Sequence, residues 1–104
     1  MSDTEIRELV VVGGGPGGYP AAFYAAELGM DVTLVDTEAA PGGVCLYRGC
    51  IPSKALLHAA GVIQDAKAAA AFGFSMGAPS LDVGQLRSWK QAVVAKLAEG
   101  LVQL

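Results

Sequence analysis

The sequence of 104 residues predicts an α/β fold of partial Rossmann-like type, in which one βαβ unit is followed by long helices. Three observations carry that prediction: a β-branched run that ends in a glycine cluster, an alanine-rich helical stretch closed by a glycine, and a second β-branched run that ends in an acid. Leu9-Val10-Val11-Val12 is the first run, the unbroken apolar pattern of a buried parallel strand. Tyr19 to Leu28 is the helix, with Gly29 where a left-handed residue closes such a helix. Asp31 to Asp36 reads as the second strand, so strand, helix and strand fill 28 residues, and their crossover is expected to be right-handed. Pro20 falls early in the helix, where a missing N–H is tolerated; deeper inside it would cost about 3 kcal/mol.

Beyond the second strand, Thr37 to Gly43 is small and polar, and Pro41-Gly42-Gly43 signals a loop that leads into a cysteine segment. Helical spacing resumes at Ser53, read as an N-cap preceded by Pro52, and runs through Leu56, Leu57, Ala60, Ile63 and Ala71 to Phe72-Gly73. A loop over Phe74 to Ser80 separates this from a second amphipathic helix marked by Leu86, Trp89, Val93, Leu97 and Leu101. The Trp89 stripe reads as packing. No internal repeat is present.

Composition narrows the function classes. Hydrophobic residues make up 53% and charged ones 16%, which excludes a disordered chain and points to surfaces that other protein covers. The net charge of −3, with no basic run, argues against nucleic acid as a partner. Met1 to Glu8 carries three acids and one arginine, the reverse of a signal peptide's basic start, so a cytoplasmic location is expected. The apolar stretch Leu9 to Met30 is interrupted by six glycines, two prolines and Glu27, so no membrane span is expected.

Gly13-Gly14-Gly15-Pro16-Gly17-Gly18 satisfies G-x-G-x-x-G between a strand and a helix, the context that gives the motif meaning. Gly13 permits the turn, Gly15 lets backbone approach a pyrophosphate, and Gly18 lets helix and strands pack closely. The phosphates then meet the free N–H groups and positive dipole end of the helix. Asp36, 18 residues beyond Gly18, is placed to accept hydrogen bonds from an adenosine ribose and disfavours a 2′-phosphate. Geometry alone leaves FAD and NAD both open.

Cys45 and Cys50 are the only cysteines, four residues lie between them, and Gly49 allows the bend that a disulfide over so short a loop requires. A nearby helix N-terminus and the charge on Lys54 would favour a thiolate, the form that exchanges with disulfides. Spacing leaves three readings open: a redox pair, two inert buried thiols, and half of a zinc site. The zinc reading lacks ligands, since His58 is the sole histidine; no metal is expected.

The segment Gly42-Gly43-Val44-Cys45-Leu46-Tyr47-Arg48-Gly49-Cys50-Ile51-Pro52-Ser53-Lys54-Ala55-Leu56-Leu57, together with the glycine motif and its tyrosine, resembles the N-terminal part of the dihydrolipoamide dehydrogenase family of pyridine-nucleotide-disulfide oxidoreductases. The likeness runs from Ile6 to Gly100. It implies that FAD occupies the nucleotide site, with NAD as co-substrate of the complete enzyme, and that Cys45 is the interchange thiol that meets a dihydrolipoyl substrate while Cys50 lies against the flavin. It implies FAD-binding roles for Gly13, Gly15, Pro16, Gly17, Gly18, Asp36, Thr37, Gly42, Gly43, Val44, Cys45 and Lys54. Ile51, Ser53 and the Ala-Leu-Leu after Lys54 point to the lipoamide branch rather than the glutathione branch, with a mercuric reductase-like relative as the nearer alternative. Tyr47 and Arg48 depart from the smaller or amide residues common between the cysteines. His58 is read as an ordinary helix residue, because the family's base belongs to a different domain.

The resemblance further implies that residues 1–104 form the N-terminal portion of an FAD-binding domain, without the NAD and dimerisation domains. By the same token this length of chain is expected to be inactive alone, and the partners expected of the whole enzyme are a second copy and the lipoyl domain of 2-oxo acid dehydrogenase complexes. The reading from a different class is a noncatalytic module that binds nucleotide or pairs with another chain through its apolar surfaces.

Overall fold

The computed structural model describes residues 4 and 6–104. Residues 1–3 and 5, half of the acidic opening segment, lie outside the described residues. In chain order the elements are β1 (Leu9–Val12), α1 (Gly18–Glu27), β2 (Val32–Val35), α2 (Gly43–Arg48), α3 (Cys50–Ala68), a 3₁₀ turn (Ala69–Phe72) and α4 (Val83–Val102). The α/β class is as expected, and the first strand has the expected limits.

β1 and β2 pair in parallel, with Leu9 opposite Val32 and Val12 opposite Val35. The ladder extends past the strand ends: Leu9 N–H donates to the Asp31 carbonyl at 3.2 Å and Gly13 N–H to the Val35 carbonyl at 2.7 Å. At the start of the pair, Arg7 bridges both carboxylate oxygens of Asp31, at 3.0 and 3.2 Å. α1 contacts both strands and covers one face of the sheet. The opposite face presents Val10, Val12 and Val35, 53%, 82% and 47% exposed, so among the described residues nothing covers it. The expectation of a strand buried on both faces is thus met on one face only.

α1 stops where the sequence says it should. Gly29 has φ +91°, its N–H donates to the Ala26 carbonyl, and Met30 N–H reaches back to Ala25, the paired bonds of a Schellman closure. The same device ends the 3₁₀ turn: Gly73 has φ +97°, its N–H donates to Ala70 and that of Phe74 to Ala69. Pro20 is the third residue of α1, within the first turn, where its lack of an N–H leaves no helical bond unmade.

Three features differ from the sequence expectation. The cysteine segment is helical: Gly43 to Arg48 form a six-residue helix, too short and too glycine-bounded to show a period. Ser53 is not an N-cap. α3 begins at Cys50, Ser53 N–H already donates to the Gly49 carbonyl, and its hydroxyl donates to the Cys50 carbonyl, so Pro52 lies inside the first turn rather than before it. α4 starts earlier than its apolar spacing suggested, because Asp82 caps it, accepting from Gln85 N–H at 3.0 Å.

α3 and α4 pack along one another as a helical arm, and α4 also touches α2. The resulting body measures 73 × 27 × 18 Å. Its accessible area is 7815 Å², against about 5,500 Å² expected for a compact chain of this mass. The buried apolar residues are small or few: Ala22, Ala25, Leu46, Ala55, Ala69 and Val94. No helix among the described residues is long and apolar enough to cross a membrane.

Candidate functional site

The site is built where two glycine-bearing turns meet. In the first, between β1 and α1, Gly13 has φ +104°. A Cβ on Gly18 would run into the Gly13 carbonyl oxygen and lie 2.9 Å from its carbonyl carbon, which is the close approach of helix and turn that the motif requires. At Gly15 and Gly17 the situation is opposite: a Cβ would enter open space. Gly18 and Tyr19 N–H groups are satisfied by the Gly15 carbonyl, whereas those of Gly14, Gly15 and Gly17 have no acceptor among the described residues. Pro16 stands between them in the turn. Open space and free donors at the start of a helix suit an anionic group.

The second turn, from Asp36 to Gly43, folds back over the first. Gly42 N–H donates to the Gly14 carbonyl at 2.8 Å, and Gly43, at φ +66°, comes so close that a Cβ there would lie 2.6 Å from the Gly15 Cα. Asp36 leaves β2 at its carboxyl end, accepts from the Thr37 N–H at 2.9 Å, and places its carboxylate over Gly14, in the space a Cβ would need. The exposed acid expected to read a ribose is therefore beside the glycine turn and open to solvent. Val44 is the exposed second residue of α2.

α2 carries Cys45 from this double turn to Cys50, the first residue of α3, and the two form a disulfide with Cα atoms 4.7 Å apart. Gly49 separates the helices. A Cβ at that position would meet the Val44 carbonyl oxygen at 3.0 Å and the Cys45 Cα at 3.2 Å, so a side chain there would have to press this backbone aside by a few tenths of an ångström. Cys50 occupies the positive end of a 19-residue helix, which favours negative charge on its sulfur once the bond opens. The free-thiol reading is overturned by this pairing, which joins both cysteines to each other.

Cys45 is half-buried and Cys50 exposed. Cys45 borders a cavity of about 200 Å³ whose other walls include Pro16, Tyr19, Leu46, Ile51, Leu97 and Leu101. Ile51 and the two α4 leucines were read from sequence as motif or packing residues; 52 positions separate Leu97 from Cys45, and no local signal joins them. Lys54 is exposed on the next turn of α3. His58 lies further along the same helix and faces Trp89 of α4, ring centroids 6.4 Å apart and planes at 32°, so both residues belong to arm packing.

Comparisons with known proteins agree with this geometry. Residues 7–104 match the family described as pyridine nucleotide-disulphide oxidoreductase. The chain is similar to the dihydrolipoyl dehydrogenase of Vibrio parahaemolyticus, 51% identical over 97% of this chain and 21% of the relative. It is 50% identical to that of Haemophilus influenzae over the same shares, and 50% identical to that of Thermus scotoductus over 93% and 21%. The chain thus spans about a fifth of the length of the curated relatives it matches.

Proposed function

Because the chain belongs to the pyridine nucleotide-disulphide oxidoreductase family, we propose that it supplies the electron-entry half of a dihydrolipoyl dehydrogenase: a dithiol-accepting disulfide joined to the front of an FAD site. The observation that carries this reading is the Cys45–Cys50 disulfide on a helix whose first residue abuts the glycine turn. Gly13, Gly15, Pro16, Gly17 and Gly18 hold the pyrophosphate, Asp36 and Thr37 the adenosine ribose, and Gly42, Gly43, Val44, Cys45 and Lys54 border the rest of the cofactor. The free N–H groups of Gly15 and Gly17, and the open space above them, fit a diphosphate.

A thiolate of the dihydrolipoyl substrate attacks Cys45 Sγ. The Cys45–Cys50 bond breaks, and Cys50 leaves as a thiolate favoured by the α3 dipole. The second substrate thiol then attacks the mixed disulfide, closing the lipoyl ring and releasing Cys45. Two electrons have entered the protein and the substrate has become a disulfide; of its two thiol protons, one went to solvent when the attacking thiolate formed and the other goes to the departing Cys45 Sγ. The apolar cavity at Cys45 suits the aliphatic part of a lipoyl chain, and the half-buried position of Cys45 suits the sulfur that meets it. FAD bound at the glycine turn would supply the acceptor for the dithiol's electron pair, with NAD as the final acceptor of the complete enzyme. The lipoyl domain of a 2-oxo acid dehydrogenase complex is the partner this chemistry calls for, a second copy is the other partner proposed, and the cytoplasm is the proposed location.

Titration of the purified protein with dihydrolipoamide tests the reading. Each molecule should gain two alkylatable thiols, at Cys45 and Cys50, with one lipoamide disulfide formed; Cys45→Ser should abolish the exchange. A disulfide that persists in excess dihydrolipoamide would overturn it.

A further inference from the structure

The two residues between the cysteines that depart from the family pattern both reach across to the loop that follows β2. The Tyr47 hydroxyl donates to the Pro41 carbonyl at 3.0 Å in a half-buried contact, and Arg48 Nη2 lies 3.3 Å from Glu38 Oε1. The Arg48–Glu38 pair is exposed, its side chains 61% and 43% accessible. α2 is one and a half turns long, well short of what a helix needs to hold itself in water, so its position depends on what ties it down. At its start those ties are the Gly42–Gly14 hydrogen bond and buried Leu46. At its end, next to Gly49, Tyr47 and Arg48 make the contacts with the Glu38–Pro41 loop, beside the packing of α2 on α3 and α4.

We propose that Tyr47 and Arg48 form a latch that holds α2 against the Glu38–Pro41 loop after the disulfide opens, so that the reduced sulfurs stay close and the disulfide is harder to reduce. In the oxidised protein the Cys45–Cys50 bond itself confines α2, so the latch contacts are always made. In the reduced protein only non-covalent contacts confine it. Open dithiol states lack the latch contacts, so removing the latch destabilises the disulfide form in full and the dithiol form only in part, and this shifts the equilibrium towards dithiol. Tyr47 and Arg48 are thus positioning residues. The proposal rests on the reading of Cys45–Cys50 as a reversible disulfide.

The test is the equilibrium of the protein with glutathione: dithiol plus glutathione disulfide gives protein disulfide plus two glutathione thiols. Samples held without air in buffers of graded ratio, acid-quenched and alkylated, give the disulfide fraction by mass spectrometry of the Cys45–Cys50 segment. Tyr47→Phe keeps the ring and removes one hydrogen bond; its constant for disulfide formation should fall by up to about fivefold. Arg48→Gln should lower it by about twofold or less, an effect lost in 1 M salt. An unchanged constant in Tyr47→Phe, with only a lower melting temperature of the oxidised form, would mean that the bond is made equally in both oxidation states, and would overturn the latch. If Tyr47→Phe does not hold its fold, Glu38→Gln tests the other half of the latch by removing the partner of Arg48: a shift towards dithiol that disappears in 1 M salt supports the latch and no shift overturns it. A wild-type protein that shows no reversible equilibrium sinks the redox reading instead, which keeps the two failures apart.

Discussion

The head of the molecule, β1 through α2, and the arm formed by α3 and α4 are specified in different ways. In the head, backbone lies against backbone: Gly18 on Gly13, Gly43 on Gly15, Gly49 on Val44 and Cys45. Each contact excludes a single carbon atom. In the arm, side chains lie against side chains, loosely, and Leu57, Val62, Trp89 and Leu97 remain substantially exposed. Chemistry resides in the part where one methyl group is too many; the arm accepts changes of that size. Glycine marks both parts, yet it does opposite things in them.

That contrast can be broken by adding one carbon in each place. Gly43→Ala should destabilise the protein by about 3 kcal/mol, combining a left-handed backbone without glycine with a Cβ forced onto Gly15. Denaturant unfolding measures it, and a loss below 1 kcal/mol would mean that the two turns separate easily. The arm's own local determinant is the Asp82 cap, where Asp82→Ala should cost about 1 kcal/mol by the same measurement, with the loss confined to the start of α4 in hydrogen exchange. The smallest effect has the other sign. At Gly61, in the middle of α3, a Cβ meets nothing within 4 Å, so Gly61→Ala should stabilise by about 0.5–1 kcal/mol. Destabilisation there would show that the arm is packed as tightly as the head.

The same division explains what could be read in advance. β1, α1 and β2 were legible to within a residue or so because glycine chemistry and β-branched runs act locally. α2 was not, since six residues between glycines show no helical period, and its existence depends on the turns beneath it. Ser53 misled because a serine before an apolar run is the usual N-cap signal, whereas here the disulfide-bearing Cys50 opens the helix and the serine bonds backwards. Asp82 with Gln85 three residues on was a readable start signal, overshadowed by the apolar spacing that begins at Leu86. The cysteine pairing could be framed as one of three alternatives but not decided from spacing. The apolar wall contributed by Leu97 and Leu101 was beyond local reading, because only the return of α4 past α2 brings it to Cys45.

The contact of Gly43 with Gly15 has a consequence for how such a protein can change over generations. A turn that reads a cofactor and a helix that carries a redox pair are usually free to drift apart in sequence, each under its own selection. Here Gly43 cannot acquire a side chain unless the Gly15 turn retreats, and such a retreat alters the surface that the glycine turn offers. The helix that carries Cys45 is therefore constrained by the turn beneath it, and a lineage that places a side chain at position 43 is expected to have remodelled that turn as well.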